Sequence, residues 1–491
     1  MRTKSFLKNG LTILIVQILN AIMDFLNRTA VIYTLSMDYV GIKGFCTNIL
    51  SILSLTELGI SSILIYSMYK PLAENDNNKL LALIGYYKRA YYIIAGLIAA
   101  IGLLLTPFLP FLVKDCPDIH GLYLIFLLYL ANSVFSYMFT YNISVLDADQ
   151  KLYIRNIWHF VFHNIRNIAQ IICLFVTGSF ILYLIIQIPL TLAENLFLSR
   201  RAKKDYPFLK TKKYPALSKE DITSLRKNTF AMFSNKIGAT VLNTTDNMII
   251  SRYIGLAAVA INDNYVLIVN TITLVMEQIL FALITGVGNL NVTAPKQSLY
   301  RVFKILHFAN FWFYCFCTSC LMLLLNPFIE LIWGRQYLFS MPVVTFICIN
   351  FFTRGIRNIP IVFRDSMGLI WHYRYKPIVE SCINIIVSII AVYYFGAAGV
   401  FAGTFFSMIC TSVWIEPYVV FKHGLKMSWK EFWITNAKYV AIFMFILPIT
   451  YFAGAMYHGS LIHEFAFRLV MGLIIPNLLI LILFCRSEQF K

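Results

Sequence analysis

The sequence predicts an all-α integral membrane protein with about fourteen transmembrane helices. Its 491 residues are 59% hydrophobic and only 13% charged, whereas a soluble domain carries roughly 25% charged residues. Stretches of about 20 mostly apolar residues, the length that crosses a bilayer as a helix, recur along the whole chain. A third observation, the distribution of Lys and Arg between these stretches, supports the same number of crossings. Together they exclude an ordinary water-soluble enzyme.

The fourteen predicted spans form two pseudo-symmetric lobes of six helices and two additional C-terminal helices. The N-terminal lobe covers residues 1–200, a basic cytoplasmic loop covers 201–228, the second lobe covers 229–421 and the additional helices lie in 422–491. Pro, Gly and polar groups in several spans leave a count of twelve open. The spans are centred in 11–33, 42–69, 91–113, 122–145, 157–176, 180–198, 229–254, 259–287, 302–325, 341–362, 378–395, 400–421, 439–456 and 466–484.

The loops test this count because cytoplasmic loops of membrane proteins are enriched in Lys and Arg. With the N-terminus inside, 31 of the 41 basic residues fall on the cytoplasmic side, six outside and four within spans. This alternation predicts that both termini are cytoplasmic. It also accounts for the net charge of +18 without a nucleic-acid partner, since little polar surface is left to form a nucleic-acid-binding face.

Two features indicate that the lobes are repeats joined by a hinge. The basic segment RRAKKDYPFLKTKKYP, residues 200–215, separates the sixth span from the seventh. It would face the anionic inner leaflet as part of a hinge, although a simple orientation signal is the favoured explanation. At an offset of 219 residues, Asn27 and Arg28 fall on Asp246 and Asn247, and LSMDYVGIKGF falls on IGLAAVAINDN. Repeated halves with a binding site between them are a common transporter plan.

Several spans carry polar residues along one face, as judged from about 100° of rotation per helical residue. A charge at the centre of a membrane helix costs roughly 2.5–3.5 kcal/mol, so these groups need either a wet cavity or partners on packed helices. Both interpretations remain open. The stripes are Gln17, Asn20, Asp24, Asn27 and Arg28 in span 1; Arg155, His159, His163, Arg166 and Gln170 in span 5; Gln187, Thr191 and Glu194 in span 6; Lys236, Thr240, Asn243, Thr244 and Asn247 in span 7; Asp263, Asn270 and Glu277 in span 8; Asn350, Arg354, Arg357 and Arg364 in span 10; and Glu380, Asn384 and Ser388 in span 11.

The residues predict neither a metal site nor catalytic chemistry. His159 and His163 have the spacing of two metal ligands, but no third ligand or HExxH glutamate accompanies them. Asp24 and Arg28 lie four residues apart, which is the spacing of a possible ion pair within span 1. The sequence contains no glycine-rich phosphate loop with Lys and no GxSxG elbow, so we expect a protein that is not an enzyme and uses no cofactor.

Two segments carry a resemblance to a known family. They are LSLTELGISSILIYSMYKPLAENDNNKLLALIGYYKRAYY, which starts at Leu53, and TTDNMIISRYIG, which starts at Thr244. They resemble Wzx-type lipid-linked oligosaccharide flippases of the multidrug/oligosaccharidyl-lipid/polysaccharide (MOP) superfamily. The resemblance implies a protein of the bacterial cytoplasmic membrane. It would move an undecaprenyl-diphosphate-linked repeat unit to the outer leaflet for O-antigen, capsule or exopolysaccharide synthesis, and glycan polymerases and glycosyltransferases would be partners.

A diphosphate head group gives the intramembrane bases a role. Arginine suits phosphate because its planar fork makes two parallel hydrogen bonds. A second set of residues is predicted to line the cavity or to couple transport to H⁺ or Na⁺, with packing or gating equally open for Glu57. The predicted anion-binding residues are Arg28, Arg166, Lys236, Arg354 and Arg357; the second set is Asp24, Glu57, His159, His163, Asp246, Asn247 and Glu277.

Two other functions remain as alternatives. A drug or cation antiporter of the same superfamily would share the lobe plan, but cationic substrates favour an acid-rich or aromatic cavity, whereas this chain has an excess of intramembrane bases. A membrane glycan polymerase or ligase also uses lipid-linked sugars. Such enzymes usually need a substantial outer loop to bind the acceptor, and the longest predicted outer loop runs only from about 326 to 340.

Overall fold

The protein is helical throughout the part that a computed structural model describes, residues 2–54, 60–114, 121–149, 151–211, 214–293 and 295–485. No strand occurs in these ranges, which confirms the all-α class. The helices are α1 (Arg2–Thr34), α2 (Met37–Leu53), α3 (Ile60–Ala73), α4 (Asn77–Leu105), α5 (Leu122–Ser136), α6 (Thr140–Ala148), α7 (Leu152–Thr177), α8 (Phe180–Asp205), α9 (Lys219–Tyr253), α10 (Leu256–Thr293), α11 (Lys296–Trp333), α12 (Met341–Ile356), α13 (Asn358–Ser366), α14 (Lys376–Phe395), α15 (Ala397–Cys410), α16 (Ser412–Val419), α17 (Lys430–Gly454) and α18 (Leu461–Phe484).

The chain is a multi-pass membrane protein. Within the described residues, eleven helical segments are long and apolar enough to cross a bilayer, and the pair α5 and α6, bent by 49°, makes a twelfth. Two predicted spans are missing from this set. The second corresponds to α2 and α3, with residues 55–59 between them outside the described part. The seventh lies in α9, which is long enough but rich in polar residues. The count of fourteen therefore stays a prediction.

The helix order repeats along the chain. Helices α2, α4 and α5 each begin 219 residues before α10, α11 and α12, which is the offset found in the sequence. The fourth span of each half is also divided into a long and a short helix, α5 with α6 and α12 with α13. Recurrence of both the helix starts and the break supports two pseudo-symmetric lobes, with α17 and α18 following the second.

By contact density the chain divides into two compact units, Met1–Ala260 and Ile261–Lys491. In the second unit an aromatic core joins α11 and α12 to α17: the rings of Phe311 and Tyr439 stack at 4.3 Å, and those of Phe352 and Phe443 at 3.8 Å. Ring pairs of this kind add to the stability that their buried area provides.

Polar residues of α14 join it to α15 in the second unit. Asn384 Nδ2 donates to Thr404 Oγ1 at 2.9 Å, and Ser388 Oγ donates to the Val400 carbonyl at 3.2 Å. Both donors belong to the stripe predicted in span 11. That stripe therefore holds helices together, as hydrogen bonds between membrane helices do.

In the first unit, charged residues close the corner between α6 and α7. Asp147 Oδ2 and Arg155 Nη1 lie 2.5 Å apart. Asp149 Oδ2 accepts a hydrogen bond from Tyr206 Oη at 2.5 Å and pairs with Lys151 Nζ at 2.8 Å. Burial raises the pKa of Asp149, but the hydrogen bonds from Lys151 and Tyr206 outweigh burial and hold that pKa below its usual value.

The lowered pKa of Asp149 predicts an acid-dependent stability. Its contribution is fully present above the unfolded-state pKa, near 4, and is lost as the pH falls through the lower folded-state pKa. We therefore expect the thermal midpoint of the wild type to approach that of D149N as the pH falls through this window. Melting curves of both proteins between neutral and acidic pH test this, and a constant difference between the two midpoints would contradict it.

Candidate functional site

The polar stripes of α1 and α7 face each other in the first unit. His163 Nε2 lies 2.9 Å from Asp24 Oδ1, and Asn167 Nδ2 donates to the same oxygen at 3.2 Å. One turn away, Asn164 Nδ2 donates to Asn20 Oδ1 at 3.3 Å. Residues three or four apart lie on one side of a helix, so two matched stripes produce a ladder of contacts. The predicted stripes omit Asn164 and Asn167.

Arg166 extends this ladder with a cation. Its half-buried guanidinium donates from Nη2 to His163 Nδ1 at 2.9 Å. Because arginine has no acceptor, Nδ1 of the neutral histidine must accept, which leaves the ring proton on Nε2 toward Asp24. In the described part of the chain no carboxylate lies within 4 Å of Arg166. Most of its five N–H donors therefore remain available to an anion.

A carboxylate and a histidine join α7 to α8. His159 Nδ1 lies 2.7 Å from Oε1 of the buried Glu194, so the stripes predicted in spans 5 and 6 meet. The His159 and His163 rings lie 5.8 Å apart. The two histidines thus turn to different carboxylates, Glu194 and Asp24, instead of converging on one point.

A second network in the first unit joins two residues of the predicted stripes, Asn27 and Gln170, to two residues outside them, Lys43 and Tyr183. Tyr183 Oη donates to Asn27 Oδ1 at 2.7 Å, and Lys43 Nζ donates to both Tyr183 Oη at 2.7 Å and Asn27 Oδ1 at 3.2 Å. Asn27 Nδ2 in turn donates to Gln170 Oε1 at 3.3 Å. The sequence predicts an outer loop at Lys43. The one signal for this residue is that it lies in LSMDYVGIKGF, the turn that recurs in the second half of the chain.

Other candidates in the first unit are placed separately. Arg28 is buried and donates from Nη2 to the Ala260 carbonyl at 2.8 Å. Asp24 contacts His163 and Asn167 of α7, whereas its spacing in the sequence points to Arg28 within α1. In α9, Asn247 is buried and Asp246 half-buried. The side chain of Lys236 and the whole of Glu57 lie outside the described residues.

In the second unit, Arg357 joins a buried cluster of charges. Its Nε and Nη2 atoms donate to the two carboxylate oxygens of Glu416 at 3.0 and 2.9 Å. Lys376 Nζ lies 2.7 Å from Glu380 Oε2 and 3.1 Å from Glu416 Oε1. Arg364 Nη1 lies 3.8 Å from the same Glu416 oxygen. The five side chains are between 1% and 11% exposed.

The cluster joins helices that are distant in sequence. Arg357 lies between α12 and α13, Lys376 and Glu380 lie in α14, and Glu416 lies in α16. The sequence predicts a cytoplasmic loop at Lys376 and no site at Glu416. The four-residue spacing of Lys376 and Glu380 is a signal for an ion pair on one helix face, but nothing in the sequence brings Glu416 to them. The remaining candidates of this unit, Glu277 and Arg354, are exposed on α10 and α12.

Comparisons with known structures identify the fold. A multidrug resistance MATE family transporter of the MOP superfamily, in an inward-facing conformation, superposes with a TM-score of 0.64 at 11% identity, over 84% of this chain and 99% of that one. The lipid II flippase MurJ, in an inward closed conformation, gives 0.61 at 15% identity, over 95% and 99%. The Vibrio cholerae MATE transporter VcmN in its bent form gives 0.57 at 14% identity, over 86% and 98%. The chain therefore has the fold of MOP superfamily transporters.

Sequence comparison identifies the family. No curated protein sequence matches the chain. The family model described as polysaccharide biosynthesis protein matches residues 6–287, more than half of the chain. The chain belongs to the polysaccharide biosynthesis protein family.

Proposed function

We propose that this protein is a flippase for an undecaprenyl-diphosphate-linked oligosaccharide. It moves the repeat unit from the cytoplasmic to the outer leaflet of the bacterial cytoplasmic membrane for O-antigen, capsule or exopolysaccharide synthesis. Family membership and the MOP fold support a membrane transporter in polysaccharide biosynthesis. The observation that carries the substrate class is Arg166, a half-buried cation in a membrane helix that donates to His163 and not to a carboxylate. Such a group is suited to an anionic head group.

The mechanism requires no covalent chemistry. The lipid tail stays in the bilayer while the head group crosses, and alternating exposure of the binding site to the two leaflets moves it. Arg166 binds a phosphate oxygen pair with its planar fork, and side chains such as Asn20 and Asn164 bind sugar hydroxyls. Four further basic residues are proposed to bind the anionic head group: Arg28, Lys236, Arg354 and Arg357. A second group of residues is proposed to line the site or to couple flipping to H⁺ or Na⁺. It consists of the Asp24–His163 and His159–Glu194 pairs and of Glu57, Asp246, Asn247 and Glu277.

Reconstituted vesicles test the proposal. The purified protein is placed in liposomes that contain fluorescent undecaprenyl-diphosphate-linked oligosaccharide, and an impermeant reagent reports how much substrate reaches the other leaflet. Leaflet transfer without a change in glycan mass supports a flippase. Chain growth would instead identify a polymerase or ligase, and efflux of a cationic drug without glycan transfer would identify an antiporter; either result overturns the proposal.

Arg166 should be decisive in the same assay. Replacing it by Gln removes the charge-assisted hydrogen bonds to the head group, each contributing about 1.5–3 kcal/mol, so we expect R166Q to reduce flipping by about tenfold or more. R166K keeps the charge but loses the fork and should be intermediate. The control is R200Q, which neutralises an exposed base near the C-terminal end of α8. Equal flipping by R166Q and wild type at equal abundance would exclude Arg166 from the site.

A further inference from the structure

Glu416 occupies the centre of a site formed by three cations. One oxygen, Oε1, receives Arg357 Nη2 at 2.9 Å and Lys376 Nζ at 3.1 Å, with Arg364 Nη1 at 3.8 Å, while Oε2 receives Arg357 Nε at 3.0 Å. The carboxylate is 1% exposed. The carboxylate of Glu416 is thus bound by both N–H groups of the Arg357 fork and by the Lys376 ammonium, and a second guanidinium, that of Arg364, lies nearby.

This donor set is the one that proteins use for phosphate. Paired N–H groups of arginine match two oxygens of a phosphate as well as those of a carboxylate, and lysine adds a compact charge. All three cations keep another acid nearby when Glu416 is set aside. Lys376 pairs with Glu380 at 2.7 Å and Arg364 with Asp365 at 2.8 Å, whereas Arg357 Nη1 lies 3.8 Å from Glu380 Oε1. Three bases would then face two acids, so the site without Glu416 carries a net positive charge around the Arg357 fork.

The helix that carries Glu416 is short and lies between two irregular joints. Helix α16 has eight residues. Before it, Thr411 adopts a non-helical backbone (φ −126°, ψ −77°), and after it a π-helical turn, Val420–Leu425, ends at Lys426, whose φ is 56°. Such π-turns are rare and occur often at functional sites. Joints of this kind absorb backbone rotation when a segment moves.

The contacts of α16 show what must break for it to move. On one face, Glu416 contacts Arg357 and Lys376, with Arg364 at 3.8 Å, and Ser412 Oγ donates to Glu380 Oε2 at 2.8 Å. On another, the half-exposed Trp414 stacks on Trp433 with ring centroids 4.1 Å apart. A buried cluster of five charged side chains is an inefficient way to stabilise a fold, because apolar side chains of similar volume often stabilise a protein equally well. Stability alone therefore does not explain the cluster.

We propose that Arg357, Arg364 and Lys376 form a binding site for the diphosphate of the substrate, and that Glu416 closes this site in the present conformation. The inference rests on the proposed function, since it assigns part of that substrate to the second unit. Rotation of α16 about its two joints withdraws Glu416, and a phosphate group takes its place on the Arg357 fork. Glu380 and Asp365 stay with Lys376 and Arg364.

Pyrophosphate tests the site without any lipid-linked sugar. Thermal unfolding of the full-length protein in detergent is followed against pyrophosphate concentration, with sodium sulfate at the same ionic strength as a comparison. E416Q removes the competing charge but keeps the side-chain shape, so its thermal midpoint should start lower and rise with pyrophosphate, with an apparent affinity at least about tenfold tighter than the wild type. R357Q in the E416Q background should abolish the rise. The matched control is E431Q, an exposed acid outside the cluster, which should respond as the wild type does.

Each outcome of this experiment supports or overturns the site. If E416Q does not fold, E416D serves instead, because its shorter side chain weakens the contacts of the competing carboxylate; it should bind pyrophosphate more tightly than the wild type, by a smaller factor than that expected for E416Q. An unchanged pyrophosphate affinity in the folded variant, or an equal rise with sulfate, overturns the proposal. The result is independent of the vesicle assay. Flipping without pyrophosphate binding would contradict this site and leave the proposed function intact. Pyrophosphate binding without flipping would contradict the proposed function and leave the site intact.

Discussion

We expect G399A to destabilise the second unit strongly, because α14 and α15 approach each other at the position of Gly399. A Cβ atom built there would overlap the Ala391 carbonyl and lie 2.8 Å from the Val392 nitrogen. These are backbone atoms, which cannot rotate away as the end of a side chain would. Overpacking a well-packed core costs roughly 1–3 kcal/mol, and a backbone clash should reach about 3 kcal/mol. The thermal midpoint should then fall by roughly 6–12 °C.

Gly403 and Gly96 supply the comparison. Gly403 lies one turn from Gly399, and a Cβ atom there would meet the Ser388 backbone nitrogen at 2.8 Å, so G403A should behave like G399A. This is the small-residue spacing that lets membrane helices approach closely. Gly96 lies in α4, and a Cβ atom there would have no neighbouring atom within 4 Å, so G96A should be neutral or stabilise by about 0.5–1 kcal/mol. Equal midpoints for G399A and G96A would contradict the close approach.

Helical periodicity accounts for much of the candidate site in the first unit. Polar residues spaced by three and four predict which side chains share a face, and Asp24 and Asn27 do meet His163 and Gln170. Periodicity contains no information on which two helices are neighbours. The contact of Asp24 with His163 therefore could not be read from the sequence, in which the four-residue spacing within the same helix points to Arg28.

A break within an apolar stretch explains why the sequence did not predict Glu416 as a site residue. The sequence predicts one span over 400–421, and the structure has one apolar segment there, Ala397–Leu425. Within it, however, an irregular joint at Thr411 separates α15 from α16. No Pro or Gly lies at that joint, so the usual local signals of a helix break are absent. Because the break turns Glu416 toward residues 40 and 59 positions earlier in the chain, Lys376 and Arg357, the cluster depends on tertiary packing that a one-dimensional pattern does not contain.

K376M should be among the most destabilising single substitutions in the second unit. Lys376 Nζ lies between two buried carboxylates, 2.7 Å from Glu380 and 3.1 Å from Glu416, and Met replaces its stem with little change in volume. Removing one partner from a buried ion pair leaves an uncompensated charge and costs about 3–5 kcal/mol. Denaturation of the purified protein in detergent, followed by helical content, should show this loss as a lower midpoint.

Two further variants test whether the loss of stability in K376M comes from the unpaired buried carboxylates or from the removal of any lysine. K70M removes an exposed i,i+4 pair with Glu74, whose side chains are 83% and 58% exposed, and such pairs contribute only about 0.3–0.5 kcal/mol. The double variant K376M/E380M replaces a buried ion pair by apolar groups and should recover much of the stability that K376M loses, since the unpaired Glu380 charge is gone. If K376M and K70M are equally stable, Lys376 does not hold these carboxylates. If the double variant is less stable than K376M by the full cost of a second substitution, the two residues are not coupled, and the charges at α14 stabilise the unit independently of each other.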